Sequence, residues 1–284
     1  MVNQELKTKL AQSTLKKTVN SKKALAVPVT FLILFVTMLG IISITYYFAV
    51  EKVNARSQTL KISTARQSFL SLDQSLLSIL WQAGSARVFE VSDSGGRIRI
   101  QPQTNSLTLS ITDGRDIDSS IYNQIIGEID YDLPYSDSPD TGLYLRGDSR
   151  SIVNQSGSVI TQLSIERGVQ NAEIVLRYRP SVSYANVGFE NDKALNVVRI
   201  YIVNLNSSEE IMSYGNIPIR ISTESTVISE TRFDVSYSLE TLRITSVYRD
   251  ISGQVLIPIH NSTGGAIIEV EVVECNIRLE RCLR

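Results

Sequence analysis

The chain contains a single histidine, His260, which excludes metal sites built from several histidines and allows only one Ser–His pair. His260 follows the alternating stretch Leu256–Ile259 and precedes a turn-rich segment. The position two residues before it, where one family of serine esterases places an aspartate, is Pro258. We therefore interpret His260 as an ordinary surface or strand-edge residue. We predict no catalytic residue and expect that the protein is not an enzyme.

Five carboxylates crowd into a short stretch of the chain, and clustered carboxylates in a loop can bind Ca²⁺. They are Glu128, Asp130, Asp132, Asp137 and Asp140. Their spacing lacks the glycine and the final glutamate of the twelve-residue calcium loop. We interpret the stretch as a solvated acidic loop. We expect no metal and no cofactor, since no glycine-rich phosphate loop or Cys-x-x-Cys pair occurs either.

Two cysteines, Cys275 and Cys282, lie seven positions apart. Outside the cell, such a pair is expected to form a disulfide that closes a small loop. Two reduced, partly buried thiols are the alternative. A zinc site is not expected, because two cysteines alone leave its ligand set incomplete.

Several short motifs are compatible with a location outside the cell. Asn154, Asn206 and Asn261 each begin an Asn-x-Ser/Thr sequon, which is a glycosylation acceptor in exported proteins. A chain this rich in Asn, Ser and Thr also produces such triplets by chance. Arg146-Gly147-Asp148 spells an adhesion tripeptide, but a match of three residues carries little weight.

The charge is distributed unevenly along the chain. Residues 1–23 hold six lysines and one glutamate, a net charge of +5, although the whole chain carries −1 and the remainder therefore −6. This balance argues against a nucleic-acid-binding surface. Residues 24–50 then contain no charged residue, and this run exceeds the roughly 20 residues that span a bilayer. The positive-inside rule places the lysines in the cytoplasm and residues 51–284 outside.

A helical pattern continues beyond this apolar run. Apolar residues recur at steps of three and four on one stripe, whereas polar residues such as Lys61, Asp73 and Gln74 fall off it. The stripe consists of Ile62, Ala65, Phe69, Leu72, Leu76 and Leu80. We predict one helix over residues 25–82, with Gly84 as its stop. Its second half must bury this stripe, most simply against the domain that follows.

The first 82 residues resemble the type IV pilins, and especially their archaeal members, which include the archaellins. The resemblance rests on a basic leader ending at Lys23-Ala24, followed by an apolar helix that opens with Leu25 and Val27-Pro28-Val29. It implies cleavage between Ala24 and Leu25 by a leader peptidase and self-association through the helix. Many pilins carry glutamate where Val29 stands and glycine where Ala24 stands. A plain single-pass signal-anchor explains most of the same features.

After residue 85 the apolar pattern changes to the period of two that is typical of strands. Arg97–Ile100, Leu107–Ile111 and Ile217–Ile221 alternate in this way. Ser94-Gly95-Gly96 supplies a hairpin-type turn, and Ser207–Glu210 is expected to cap a short helix. Ten or more short strands favour an antiparallel β-sandwich, as one domain or as two stacked smaller ones.

The sequence therefore predicts an α+β protein with a long N-terminal helix and a mainly antiparallel β-sandwich ectodomain. Residues 1–24 form the cytoplasmic leader, 25–50 the transmembrane or filament-core helix, 51–84 its amphipathic continuation, and 85–284 the extracellular domain. The leading hypothesis is a pilin-like structural or adhesive subunit of a surface filament or pseudopilin-like assembly. The alternative is a membrane-anchored ectodomain that binds an S-layer, a partner protein or a glycan without polymerising.

Overall fold

The computed structural model describes residues 2–134, 141–154, 159–169, 171–249 and 251–282, with side chains from residue 28 onward. It begins with one helix, α1 (Val2–Leu77). The chain divides into two compact units, residues 1–59 and 60–284. In the first unit, every side chain described is exposed. The second unit combines the end of α1 with all the described strands.

Fourteen strands follow α1 in the described part of the chain. They are β1 (Ala86–Val91), β2 (Arg97–Thr112), β3 (Asp118–Asp132), β4 (Tyr144–Arg146), β5 (Val153–Asn154), β6 (Thr161–Arg167), β7 (Ala172–Tyr178), β8 (Ser181–Glu190), β9 (Lys193–Asn204), β10 (Ile211–Tyr214), β11 (Ile217–Val235), β12 (Thr241–Tyr248), β13 (Ile251–Pro258) and β14 (Ala266–Arg281).

The strands form two curled sheets, as a sandwich requires. The six-stranded sheet has the order β1-β11-β14-β9-β8-β5, and the eight-stranded sheet has the order β13-β12-β2-β3-β7-β6-β4 with β10 also paired to β2. Among the described strands, the β9–β14 and β5–β8 pairs are parallel and the others are antiparallel. The predicted fold class is confirmed. Residues 60–284 form one compact unit rather than two stacked ones.

The end of α1 packs into the first of two hydrophobic cores, which draws on both sheets. All six residues of the predicted stripe belong to this core or pack against it. Phe69 contacts Tyr131 of β3, with 5.7 Å between the ring centroids. Burying one such side chain contributes roughly 1.5–3 kcal/mol, so the stripe binds this part of the helix firmly to the strands. The predicted burial of the stripe is confirmed.

The second core lies between the two sheets and contains no residue of the helix. Leu109 and Ile111 of β2 contribute to it from one sheet, and Val198 and Ile200 of β9 from the other. The alternation of buried and exposed residues along these strands turns one face inward and one outward. The alternation of apolar and polar residues in the sequence therefore gives each sheet one apolar face, and the two apolar faces pack together as a sandwich.

Helix α1 ends at Leu77, five residues before the predicted end. The carbonyl oxygen of Ile79 accepts hydrogen bonds from Thr223 Oγ1 of β11 at 2.8 Å and from Ser85 Oγ at 3.1 Å. Trp81 adopts a left-handed backbone conformation with φ of 65°. Because Thr223 of β11 and Ser85 supply these hydrogen bonds, the chain leaves the helix before Gly84 instead of at it.

The short helix expected at Ser207–Glu210 is wrong, since this segment forms a turn between β9 and β10. Ser208 Oγ accepts a hydrogen bond from Leu279 N at 3.1 Å, and Glu209 N donates to Leu279 O at 2.9 Å. These hydrogen bonds hold the segment against strand β14 instead.

Asp73 joins α1 to the eight-stranded sheet through three hydrogen bonds. The sequence pattern placed this residue on the polar face of the helix, but the structure buries it completely. Its Oδ2 accepts from Arg146 Nη1 at 2.6 Å, and its Oδ1 accepts from Thr161 Oγ1 at 2.8 Å and Tyr178 OH at 3.0 Å. A buried carboxylate needs such partners to offset the loss of water.

We predict that Asp73→Ala lowers the free energy of unfolding of the β domain by about 3–5 kcal/mol. The variant leaves two buried hydroxyls without an acceptor and Arg146 without its counter-charge. The measurement is denaturant unfolding of the full-length protein in detergent. Gln74→Ala is the matched control, because Gln74 is exposed on the same helical turn and should change stability by no more than about 0.5 kcal/mol. Equal unfolding midpoints for the two variants would contradict the prediction.

Candidate functional site

Charged side chains form rows across one face of the eight-stranded sheet. In the β2–β3 register Arg97 lies opposite Asp132 and Arg99 opposite Asp130, and Glu173 of β7 continues the first row beyond Asp132. Successive side chains of a strand point to opposite faces, and the residues between these charges belong to the first core. The rows therefore lie on the face of the sheet that is turned away from that core.

Glu128 lies at the most buried end of these rows and is only 2% exposed. Arg249, from the turn after β12, donates to Glu128 Oε1, and Arg177 Nε of β7 lies 3.9 Å from Oε2. Tyr248 OH also donates to Oε2, at 3.2 Å. Both guanidinium groups lie against the Tyr248 ring, at 5.6 and 5.8 Å from its centroid. Two arginines thus compensate one buried carboxylate.

Arg99 is shared between three carboxylates. Its Nη2 lies 2.9 Å from Glu173 Oε2, 3.1 Å from Asp132 Oδ1 and 3.7 Å from Asp130 Oδ2. Asp132 has a second cation, because Arg97 Nε donates to its Oδ2 at 2.7 Å. Negative charge is consequently least well compensated at Asp130.

Asp130 is 3% exposed and incompletely hydrogen-bonded. Its Oδ2 accepts from Gln101 Nε2 at 2.5 Å, but its Oδ1 has no hydrogen-bond partner within the described residues. Burial, followed by the nearby Glu128 carboxylate, raises the pKa of Asp130 to about 7, although Arg99 opposes this shift. A carboxyl group that titrates close to neutral pH therefore lies within the rows.

Two adjoining cavities of about 410 and 360 Å³ lie over these rows. Both are lined by Arg99, Glu173 and Val169, a residue of the β6–β7 turn. Tyr214 of β10 borders the first cavity and Asp130 the second. We call the two cavities together the charged groove. Its size lies within the range of small-molecule sites, roughly 300–1,000 Å³.

The interpretation of residues 128–132 as a solvated acidic loop is wrong. Glu128, Asp130 and Asp132 are residues of strand β3, and the first two are buried. Arg249 of the β12–β13 turn lies against Glu128 and Gln101 of β2 against Asp130, contacts that a sequence pattern does not reveal. Asp137 and Asp140 lie outside the described residues. Within the part of the chain that the structure describes, no group of three or more His, Cys, Asp or Glu side chains could hold a metal ion.

His260 is exposed just after β13, as expected for a surface residue. Its backbone N–H donates to Asn196 Oδ1 at 3.0 Å. The two charged side chains of the Arg146-Gly147-Asp148 tripeptide are engaged within the fold. Arg146 binds Asp73, and Asp148 binds Arg150 and Arg179. The hydrogen bond from Arg150 and then that from Arg179 hold the pKa of Asp148 well below its usual range.

The predicted disulfide between Cys275 and Cys282 is wrong, since both thiols are free. Strand β14 keeps the chain extended as far as Arg281, and Cys282 N still donates to Pro218 O at 3.1 Å. Seven residues of strand span roughly 23 Å, whereas a disulfide needs Cα atoms about 4.4–6.8 Å apart. The thiol of Cys275 lies in the first core, and burial raises its pKa.

The three sequons occupy different environments. Asn154 is half-buried in β5, and Asn206 is half-buried in the turn after β9. Asn261 Nδ2 donates to Leu239 O at 2.8 Å and to Ile259 O at 3.2 Å. A glycan would replace one of the two amide hydrogens that make these bonds. In this fold Asn261 therefore acts as a bridge between two backbone segments.

The predicted cleavage position, between Ala24 and Leu25, lies within helix α1, and the side chains of Lys23, Ala24 and Leu25 fall outside those described. Between Pro28 and Leu77, α1 is long and apolar enough to cross a membrane, and among the described residues it is the one helix with this property. It is consistent with single-pass membrane anchoring. Comparisons of the chain with protein-family models, with curated proteins and with solved structures found no match.

Sequence reasoning missed the charged groove, although a signal was present. Glu128, Asp130 and Asp132 alternate with the apolar Ile129 and Tyr131. This period of two is typical of a strand with one buried face. Carboxylates at this density are more typical of a loop than of a buried strand.

We predict that the Asp130 carboxyl makes stability fall as the pH rises from about 4 to about 7. The folded state retains a proton in this range that the unfolded chain has already lost, because the folded-state pKa is the higher one. Asp130→Asn removes this titration. Its free energy of unfolding should therefore improve relative to the natural protein by about 2–4 kcal/mol across the window.

The measurement is denaturant unfolding of both full-length proteins at several pH values. Asp118→Asn, at an exposed position of the same strand, is the control for the change in charge. A constant difference between Asp130→Asn and the natural protein from pH 4 to 7 would refute the prediction.

Proposed function

We propose that the chain is a membrane-anchored structural or adhesive surface protein that acts as a type IV pilin-like subunit rather than as an enzyme. The observation that carries the proposal is the division of one helix into two environments. The side chains at positions 28–59 are all exposed, whereas the stripe at positions 62–80 lies in the first core or against it.

The apolar part of α1 is exposed wherever its side chains are described. Phe31, Leu34, Phe35 and Ile41 are more than half exposed, and no charged residue occurs between positions 24 and 50. Such a surface is stable in lipid or against other apolar helices. Gly40 and the hydroxyl residues Thr37 and Ser43 allow close helix–helix approach, which supports self-association through this segment.

The buried part of α1 supports the subunit hypothesis over the simple tether. A simple tether needs no more than a polar spacer between its membrane helix and its outer domain. Here the helix continues without interruption into a core that includes residues of both sheets. This burial supports the subunit hypothesis, because the stripe that packs into the core belongs to the same continuous helix as the apolar segment.

The proposal includes an orientation of the chain across the membrane. The six lysines of residues 1–23 favour a cytoplasmic N-terminus, so that the β domain lies outside the cell. Cleavage after Ala24 would remove the lysines and leave the apolar helix on the product. The partners would be the membrane, further copies of the chain and a surface layer. The alternative is an anchored ectodomain that remains a single subunit.

We predict that the mature protein begins at Leu25. The measurement is peptide mass spectrometry of the N-terminus on protein purified from native membranes. Ala24→Phe should block processing, because leader peptidases of this type cut after a small residue. Ala11→Phe, the same change within the leader, is the control and should be processed normally. A start at Met1 in the natural protein would leave a signal-anchored ectodomain.

We also predict that Leu34→Lys abolishes incorporation into filaments while the β domain still folds. An unpaired charge is costly both in lipid and in a packed helical core. Gln58→Lys adds the same charge at an exposed polar position of α1 and should assemble. The measurement is electron microscopy of sheared cell surfaces, with the protein level in membranes as a check. Filaments of normal abundance from Leu34→Lys would refute the subunit proposal.

A further inference from the structure

We propose that the charged groove binds a neutral saccharide, either free or as part of a glycan on another molecule. This inference goes beyond the assembly role and does not depend on it, because the groove lies wholly within residues 60–284.

Two residues that line the groove carry buried polar atoms without a hydrogen-bond partner. Asp130 Oδ1 and the Nε of Arg99 are buried atoms without a hydrogen-bond partner in the described part of the chain, and both residues line the second cavity. A buried polar group that lacks a partner costs about 1–3 kcal/mol. Two residues that lie opposite each other on neighbouring strands thus each keep one polar atom unpaired, within a face that is otherwise densely paired.

The positive and negative charges of the lining nearly balance, which favours a ligand without net charge. The described lining contains four arginines and five carboxylates, so an anion or a cation would be repelled by about half of the charged groups. An apolar ligand would remove water from these groups without replacing its hydrogen bonds. The remaining class is a neutral ligand rich in hydrogen-bonding groups.

Hydroxyl groups fit this lining because each one both donates and accepts. A hydroxyl can accept from a guanidinium such as that of Arg99 and donate to a carboxylate such as that of Glu173. The planar guanidinium presents several donors in a fixed fork, which suits two neighbouring hydroxyls of a sugar ring. The rows of opposite charge on adjacent strands repeat this combination along the groove.

The rim supplies the apolar contact that the carbon face of a sugar ring requires. Tyr214 is 70% exposed on β10, and Val169 is almost fully exposed in the β6–β7 turn. Both line the first cavity. The Arg97 guanidinium lies 5.9 Å from the Tyr214 ring centroid, which helps to hold the ring at the groove. An exposed aromatic ring beside paired charges is the combination expected of a saccharide site.

The test is binding of the full-length protein, in detergent and unassembled, to an array of neutral, sialylated and sulfated oligosaccharides. Titration of the best neutral oligosaccharide then gives the affinity. We expect binding to a subset of the neutral oligosaccharides. Tyr214→Ala should weaken it about three- to tenfold through the lost ring contact. Glu173→Gln should weaken it at least about tenfold, because a charged acceptor is lost.

Phe189→Ala is the matched control, since Phe189 is an exposed aromatic residue of the six-stranded sheet and should leave binding unchanged. Tyr214→Ala keeps the test decisive if Glu173→Gln does not fold, because β10 is a short strand that pairs only with β2 among the described strands. Failure to bind any neutral oligosaccharide would overturn the inference. So would binding to sulfated glycans alone, or binding that Tyr214→Ala leaves unchanged. Each of these results is independent of filament assembly.

Discussion

The burial of one stripe of α1 against both sheets is the interaction on which the β domain depends. Phe69, Leu72 and Leu76 are fully buried in a core that also contains strands β2, β3, β6 and β7 of one sheet and β11 and β14 of the other. Without this stripe the two sheets would face a void at this end of the sandwich, because the second core contains no helical residue. Dispersion contacts and the hydrophobic effect are both lost when such a space is left empty.

Directional contacts determine the position of the helix within that core. Asp73 receives hydrogen bonds from β4, β6 and β7, and Ile79 O receives one from β11. Apolar contacts alone would tolerate a small shift along the helix axis, whereas a buried carboxylate with three donors would not. The same helix therefore has an end with one defined position and an apolar stretch, residues 28–50, whose side chains are exposed. This combination underlies the proposal of an assembling subunit.

The charged groove is lined by carboxylates and arginines, whereas the stripe of α1 is apolar. Its carboxylates and arginines lie on the face of the eight-stranded sheet that is turned away from the first core, yet Glu128 and Asp130 are almost completely buried. Replacing a buried ion network by apolar residues is often neutral or stabilising, so stability alone does not explain why this one exists. The proposed role in ligand binding would account for the paired charges that line the groove. The apolar helix and the groove would then serve separate tasks, assembly or anchoring in one case and recognition in the other.

Local periodicity was enough to predict the long helix, its apolar part, its buried stripe and the antiparallel sandwich. A period of 3.6 or 2 is written in neighbouring residues and needs no knowledge of distant ones. Tertiary structure decided the features that depend on partners far along the chain. These features are the burial of Asp73, the end of α1 at Leu77 and the turn at Ser207–Glu210. The extended strand β14 likewise keeps Cys275 far from Cys282. Tertiary structure also brought Arg99, Asp130 and Glu173 together from three strands to form the groove. The physical reason is that hydrogen bonds and ion pairs act between groups that are close in space, whatever their separation in sequence.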